Sequence, residues 1–181
     1  GIILGEWTRA TDLTVHGTML AKDAKVMVGD NAANVVIDGG VMAVKGFAVA
    51  DTSSGKADKL QSISIDLKND GALILGGAGI STDKAFSATF GEGTVGMSAA
   101  STTIAENVTL NSAEGTTFDT TQYTYETNAD GVATDIVRGT EGGDLVLSGN
   151  VSSADGVDAA MKVVGAGTLH VAGEAAVSGE V

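Results

Sequence analysis

The amino-acid sequence predicts an all-β chain, a parallel β-helix (β-solenoid) of about seven coils with two loop insertions, and three observations point there. The chain writes nearly the same phrase three times: GALILGG at 71–77, GDLVLSG at 143–149 and GTLHVAG at 167–173. It holds 26 glycines and no proline, and alanine, valine and threonine are its commonest residues beside glycine, the composition of short strands and tight turns. Around each recurring glycine apolar residues alternate with small or polar ones, the two-residue period of a strand with one buried face.

The repeat emerges when the chain is aligned on a glycine that opens a strand. Gly17, Gly40, Gly71, Gly93, Gly115, Gly143 and Gly167 fall at intervals of 23, 31, 22, 22, 28 and 24 residues. The two longest intervals are the same unit carrying insertions. Two residues on stand Met19, Met42, Leu73, Val95, Thr117, Leu145 and Leu169; four residues on stand Ala21, Val44, Leu75, Met97, Asp119, Leu147 and Val171. Only Thr117 and Asp119 break the apolar pattern. A second strand precedes the glycine in LTV (13–15), VVI (35–37), ISI (63–65), VTL (108–110) and KVV (162–164), and a weaker third follows it in VMV (26–28), FAV (47–49) and TTI (102–104). Two or three short strands joined by Asp-Gly and Gly-Gly turns make up one coil of a β-helix.

One coil cannot bury its own inward side chains, so coils are stable only when stacked, like residue over like. The opening glycines are expected to turn corners with positive φ. Proline is excluded because a central strand needs every N–H for its ladder. The rival architecture, an antiparallel β-sandwich, also uses short alternating strands, but it does not require matching side chains at fixed spacing. The whole chain, 1–181, reads as one solenoid domain with insertions near 51–62 and 119–142.

Twenty-three acidic residues against ten basic ones give a formal charge of −13 and a pI near 4.2. Such a surface repels phosphate backbones and anionic lipid, so nucleic acid is not an expected partner. Without cysteine there are no disulfides and no thiolate metal sites. The first residues, GIILGEW, have no basic start and no cleavage site, and no stretch approaches the roughly 18 apolar residues of a membrane helix. The chain starts without Met and stops inside a strand-like pattern, as expected for a piece of a longer protein. Any membrane attachment then belongs to regions outside this chain.

Catalytic chemistry has little to stand on. His16 and His170 belong to different repeats and read as solvated strand residues; no histidine accompanies the serines as a triad needs. Polysaccharide lyases built on β-helices need clustered acids with a basic partner, whereas Arg9 and Arg138, the two arginines, lie in no acidic ladder. No cofactor is expected. Ca²⁺ is the candidate metal, with Asp130 and Asp135 of NADGVATD and Asp155 and Asp158 of ADGVD as carboxylates beside turn carbonyls. Asp-Gly is also the ordinary turn dipeptide. GGAGISTD (76–83) begins like a calcium-binding nonapeptide, but Ser81 stands where that motif has Asp.

The insertions carry the remaining signal. DTSSGKADKLQS (51–62) is polar; DTTQYTYETNADGVATDIVRGTEG (119–142) holds Tyr123, Tyr125 and Arg138, the candidate ligand-binding side chains. Tyrosines two apart on a strand share a face that can stack on a sugar or a protein. The alternative is a hairpin whose tyrosines cover the open side of a coil.

The segment GGDLVLSGNVSSADGVDAAMKVVGAGTLHVAG (142–173) resembles the repeat of autotransporter passenger domains: a Gly-x-Leu-x-Leu-x-Gly strand, Asn, a polar turn, a valine-rich strand and a closing Gly-Thr-Leu. It departs from that family at SSADG (152–156), where the turn is commonly Thr-Tyr-Thr-Gly. The resemblance implies a right-handed β-helix, export through an outer-membrane barrel, and a non-catalytic structural or adhesive role at the bacterial cell surface. The implied partners are a host protein or glycan, or further copies of the chain. A surface-layer or self-associating biofilm protein is the second reading, and a β-helical polysaccharide-active enzyme the third.

Overall fold

The computed structural model describes residues 2–4, 10–29, 31–49, 61–82 and 85–181. Most of the predicted 51–62 insertion therefore lies outside the described residues. What is described is strand, turn and bend, with no helix.

The chain moves back and forth between two sheets. It enters at β1 (Ile2–Leu4), then runs through β2 (Thr11–Val15) and β3 (Thr18–Val28), and next through β4 (Ala32–Asp38) and β5 (Val41–Val49). A third pass is β6 (Ser62–Lys68) and β7 (Gly71–Ile80), and a fourth is β8 (Ala85–Phe90), β9 (Gly93–Met97) and β10 (Ser101–Ile104). The fifth has β11 (Val108–Leu110), β12 (Thr116–Thr127), β13 (Ala133–Gly142) and β14 (Asp144–Leu147). The sixth has β15 (Val151–Ser153), β16 (Met161–Val164) and β17 (Thr168–Val171), and β18 (Ala175–Ala176) follows. Strands β2, β4, β6, β8, β11, β15 and β18 form a seven-stranded sheet in that order. The other eleven form a sheet that forks at β7: one branch continues through β9, β12 and β16, the other through β10, β14 and β17.

Every ladder is parallel except that between β12 and β13. Parallel strands cannot be joined by tight hairpins, so each must be followed by a crossing before its neighbour is laid down. Here the crossing is the rest of one pass, and the antiparallel sandwich does not form. Registers put like over like, as expected: Met42 pairs with Met19 and Leu73, and Leu75 with Val44 and Met97. Inward columns from both sheets, among them Val15, Ile37, Leu67, Phe90 and Leu110 on one side and Met42, Leu73, Val95 and Phe118 on the other, join in one buried cluster. Phe90 and Phe118 meet edge to face across it, 6.4 Å between ring centroids, a favoured aromatic geometry.

Three expectations are corrected by the ladders. Gly93 pairs with Thr116 rather than Gly115, and Val95 with Phe118. The inward residue there is the buried Phe118, and Thr117 faces the other way; the apparent break in the pattern was a slip of one residue. GDLVLSG is not a copy of GALILGG in space, because Leu147 stands on Ile104, which stands on Ile80, in the second branch. KVV (162–164) likewise belongs to the larger sheet, paired with β12. Strands β12 and β14 therefore share one pass, and the described residues complete six passes, beginning at β2, β4, β6, β8, β11 and β15, with β1 and β18 in part-passes at either end.

Apart from Gly17, which has open space where a Cβ would stand, the opening glycines are there for closeness rather than for φ. Of the seven, only Gly115 has a positive φ, at 94°. A Cβ on Gly93 would lie 2.6 Å from the Gly71 carbonyl oxygen and 3.0 Å from Leu67 Cγ, so glycine lets successive passes close on each other at the corner.

The Phe118 register is checked by two alanine variants. Phe118→Ala should cost about 3–5 kcal/mol, while Thr117→Ala should stay within about 0.5 kcal/mol, both by denaturant unfolding; equal costs would mean the ladder is misplaced.

Candidate functional site

The antiparallel pair β12–β13 is where the chain leaves the stacking rule. Beyond Phe118, β12 parts from the ladder with β9, rejoins it at Gln122 opposite Met97, and turns back through β13. The turn is written by Asn128: its side-chain oxygen accepts from the backbone N–H groups of Asp130 and Val132, both at 3.0 Å, an Asx turn, and Gly131 follows at a φ of 76°.

Cross-strand pairing gives the hairpin two faces. Tyr123 opposite Arg138 and Tyr125 opposite Ile136 lie on one; Thr124 opposite Val137 and Glu126 opposite Asp135 lie on the other. Tyr123, Tyr125 and Ile136 are half-buried, whereas Thr124, Glu126, Asp135 and Val137 are exposed. The inner face lies against an outward column of the larger sheet formed by Leu20, Ala43, Ile74 and Gly96. Ala43 and Ile74 are fully buried yet stand apart from the central cluster. A Cβ on Gly96 would come within 2.9 Å of both the Tyr123 ring and the end of Ile74, so glycine leaves the seat for the ring. At the tip, Gly131, Val132 and Ala133 enclose with Leu20–Ala24 a shallow groove of about 360 Å³.

The root of the hairpin is pinned by Asp119, the one buried charged side chain among the described residues. Arg138 donates to both its carboxylate oxygens, Nε to Oδ2 at 2.5 Å and Nη2 to Oδ1 at 2.9 Å. The Thr121 N–H donates to Oδ1 at 2.9 Å and the Tyr123 hydroxyl to Oδ2 at 3.1 Å. Arg138 Nη2 also reaches Thr121 Oγ1 at 2.9 Å. Bidentate, charge-assisted pairing of this kind is the strong form of the arginine–carboxylate bond.

Burial pushes the Asp119 carboxyl up, but the hydrogen bonds from Arg138, Thr121 and Tyr123 together with the Arg138 charge outweigh it, and it titrates below the ordinary 3.8. Burial, then the Asp119 charge, pushes the Tyr123 phenol up to about 12. Burial also raises Tyr125. The Tyr125 hydroxyl is buried, and Ser98, close enough to influence its titration, stays outside bonding geometry; no described residue hydrogen-bonds it.

Tyr123 and Tyr125 share a face, but it is the face turned onto the sheet. Arg138 is committed to Asp119, with its side chain about half exposed. Asp130 sits exposed at the hairpin tip, and Asp135 faces solvent on β13, where its Oδ1 accepts from the Ile136 N–H. Asp155 and Asp158 occupy the exposed turn between β15 and β16. These four are not gathered: among the described residues no group of three or more His, Cys, Asp or Glu is placed to hold a metal ion. His16 and His170 lie apart, each beside the aspartate of a neighbouring strand, Asp38 at 3.8 Å and Asp144 at 3.4 Å.

Sequence reasoning missed Asp119 as an anchor and the outward column beneath the hairpin. The signal was present in the third residue after each glycine, where Leu20, Ala43, Ile74 and Gly96 are apolar or small on a face that should be polar. Compared with known proteins, the chain matches no family model, no curated protein and no solved structure.

Two measurements check this geometry. Asp119 is bound more tightly as a carboxylate in the folded chain, so its stabilisation is complete above the unfolded value near 3.8 and is lost as pH falls through the lower folded value. Asp119→Asn should therefore lower the melting temperature most at neutral pH, with the gap to the parent closing in acid. Tyr125→Phe should raise stability by about 1 kcal/mol by removing an unsatisfied hydroxyl, whereas Tyr123→Phe should lower it.

Proposed function

We propose that the chain is a non-catalytic structural and adhesive module of a bacterial cell surface. In this reading it is a right-handed parallel β-helix of the autotransporter-passenger kind, and the β12–β13 hairpin is the element it presents. The observation that carries the reading is the hairpin itself: a long insertion held on a regular stack by buried Asp119 paired with half-exposed Arg138, with its exposed face turned outward. Rigid scaffolds with exposed projecting segments are the usual arrangement for recognition. Parallel registers that set like residues over like support the solenoid, and the 142–173 segment supports the family. Asp119 supports a role without catalysis. It is the carboxylate with the most perturbed surroundings, and its oxygens are already filled by four donors from three residues, so it is not free to move a proton.

The binding surface in this proposal differs from the one expected from sequence. Tyr123 and Tyr125 hold the hairpin down, and Thr124, Glu126, Asp135 and Val137 are what a partner meets.

Displayed on a non-adherent bacterium, the chain should raise retention on cultured epithelial monolayers. The variant Thr124→Ala/Glu126→Ala/Asp135→Ala/Val137→Ala should return retention to background at equal display and unchanged melting temperature. The purified chain should release no unsaturated product from polygalacturonate. Retention no better than background for the parent chain, or lyase product, would overturn the proposal.

A further inference from the structure

Among the described residues the outer edge of β13 carries no partner strand, and only its Gly142 end abuts the backbone of Ala166 and Gly167. The strand's ten residues, Ala133–Gly142, pair only with β12 among the described strands, so every second backbone N–H and C=O points away from the ladder. Natural sheets blunt such edges with proline, lysine, short length or irregular pairing. The chain has no proline, and no lysine occurs in 119–142. The irregularities in pairing fall at Thr121/Tyr123 and Glu126/Thr127, leaving Asp135–Arg138 in regular register. Arg138, the one base in the hairpin, is spent on Asp119.

A second observation says what chemistry the edge fits. In the parallel ladders no carboxylate is paired with another: Asp12 faces Asn34, Asp38 faces Lys68, Asp66 lies between Val36 and Thr89, and Asp144 between Ser101 and Thr168. The hairpin breaks that rule. Glu126 and Asp135 are direct cross-strand partners on the exposed face, with no cation paired to either among the described residues. Like charges placed directly opposite destabilise a sheet pair, and a cation brought between them relieves that repulsion.

We propose that the β13 edge accepts an extended, lysine- or arginine-bearing segment of a partner protein as an added strand, with its basic side chains set over Glu126 and Asp135. Main-chain bonds supply the docking and the acidic pair selects the charge, the division of labour in strand addition. This rests on the reading of the hairpin as the presented element and names its partner.

The test uses the intact chain, a ten-residue peptide of alternating threonine and lysine, and its threonine–glutamate counterpart. The lysine peptide should bind at low salt and slow hydrogen exchange at alternate amides of 133–142, and the glutamate peptide should do neither. Glu126→Lys/Asp135→Lys should weaken lysine-peptide binding by about tenfold or more without changing the melting temperature. Several results overturn the proposal: no binding up to millimolar peptide, binding without protection in β13, or undiminished binding by the double variant. Protection of β13 that depends on protein concentration alone would put a second copy on the edge and overturn it too. If adhesion to monolayers is lost in the four-alanine variant while the lysine peptide fails to bind, only this inference falls; if the parent chain does not adhere, the adhesive reading falls first.

Discussion

In-register parallel pairing between successive passes is the constraint from which the rest follows. Each strand hands its backbone donors and acceptors to the pass before and the pass after, so an interior proline would leave an acceptor unanswered and displace its neighbour. The same pairing stacks identical positions, which is why inward places must all be apolar and mutually sized. Outside the hairpin the buried threonines Thr102 and Thr116 bond along the stack. Thr116 Oγ1 donates to the carbonyls of Phe90 and Gly91 at 2.9 and 2.7 Å, so its hydroxyl adds a link between passes instead of an unpaired dipole.

The hairpin is the exception that shows how strict this constraint is. Beyond Asp119, where β12 leaves its parallel ladders, it pairs antiparallel with β13, and apart from Gln122 opposite Met97 no neighbouring pass sets the register of that pair. The two strands need an anchor of their own, and Asp119 with Arg138 supplies it. An ion pair with one member buried is a poor source of net stability but a strict one for geometry, since a misplaced hairpin would strand the carboxylate. The tyrosines add an apolar seat on Gly96 and Ile74, and the result is a strap fixed at its root and lying along the outer face of the sheet.

Much of the architecture could be read from the sequence because a repeating ladder writes its period into the side chains. Met19, Met42, Leu73 and Val95 were placed in one column by spacing alone, and the ladders put them there. What could not be read is which strand of a pass a phrase belongs to. GALILGG and GDLVLSG obey the same local rule, apolar at alternate places between glycines, and so fit either branch of the larger sheet equally well. Local pattern determines which way a side chain faces; the rank of a strand within its pass depends on how many residues are spent between corners, and the hairpin hides that count. The Thr117 slip has the same source, because Gly115 looked like an opening glycine although Thr116 took that place. For the site, the tyrosine pair was found and its direction was not, because period two says that Tyr123 and Tyr125 share a face without saying which face meets the sheet.

The placement of the hairpin explains how a regular stack can carry a variable element at little cost. Its two ends meet: the Gly143 N–H donates to the Thr120 carbonyl at 2.9 Å, so the chain leaves the pass and returns to it across a single hydrogen bond. Thr120 Oγ1 in turn bonds the Val164 carbonyl at 3.0 Å and receives the Gly167 N–H at 3.2 Å, tying the exit point to the next pass. The ladders on either side therefore continue as though nothing had been inserted. Loop-closure entropy grows only slowly with length, and here the closing contact is already made, so the outward residues between 121 and 142 can change without disturbing the columns beneath. The core consequently restricts the inner face of the hairpin to what Gly96, Ile74 and Asp119 will accept, and it leaves the outer face, Thr124, Glu126, Asp135 and Val137, to be shaped by whatever lies outside the protein.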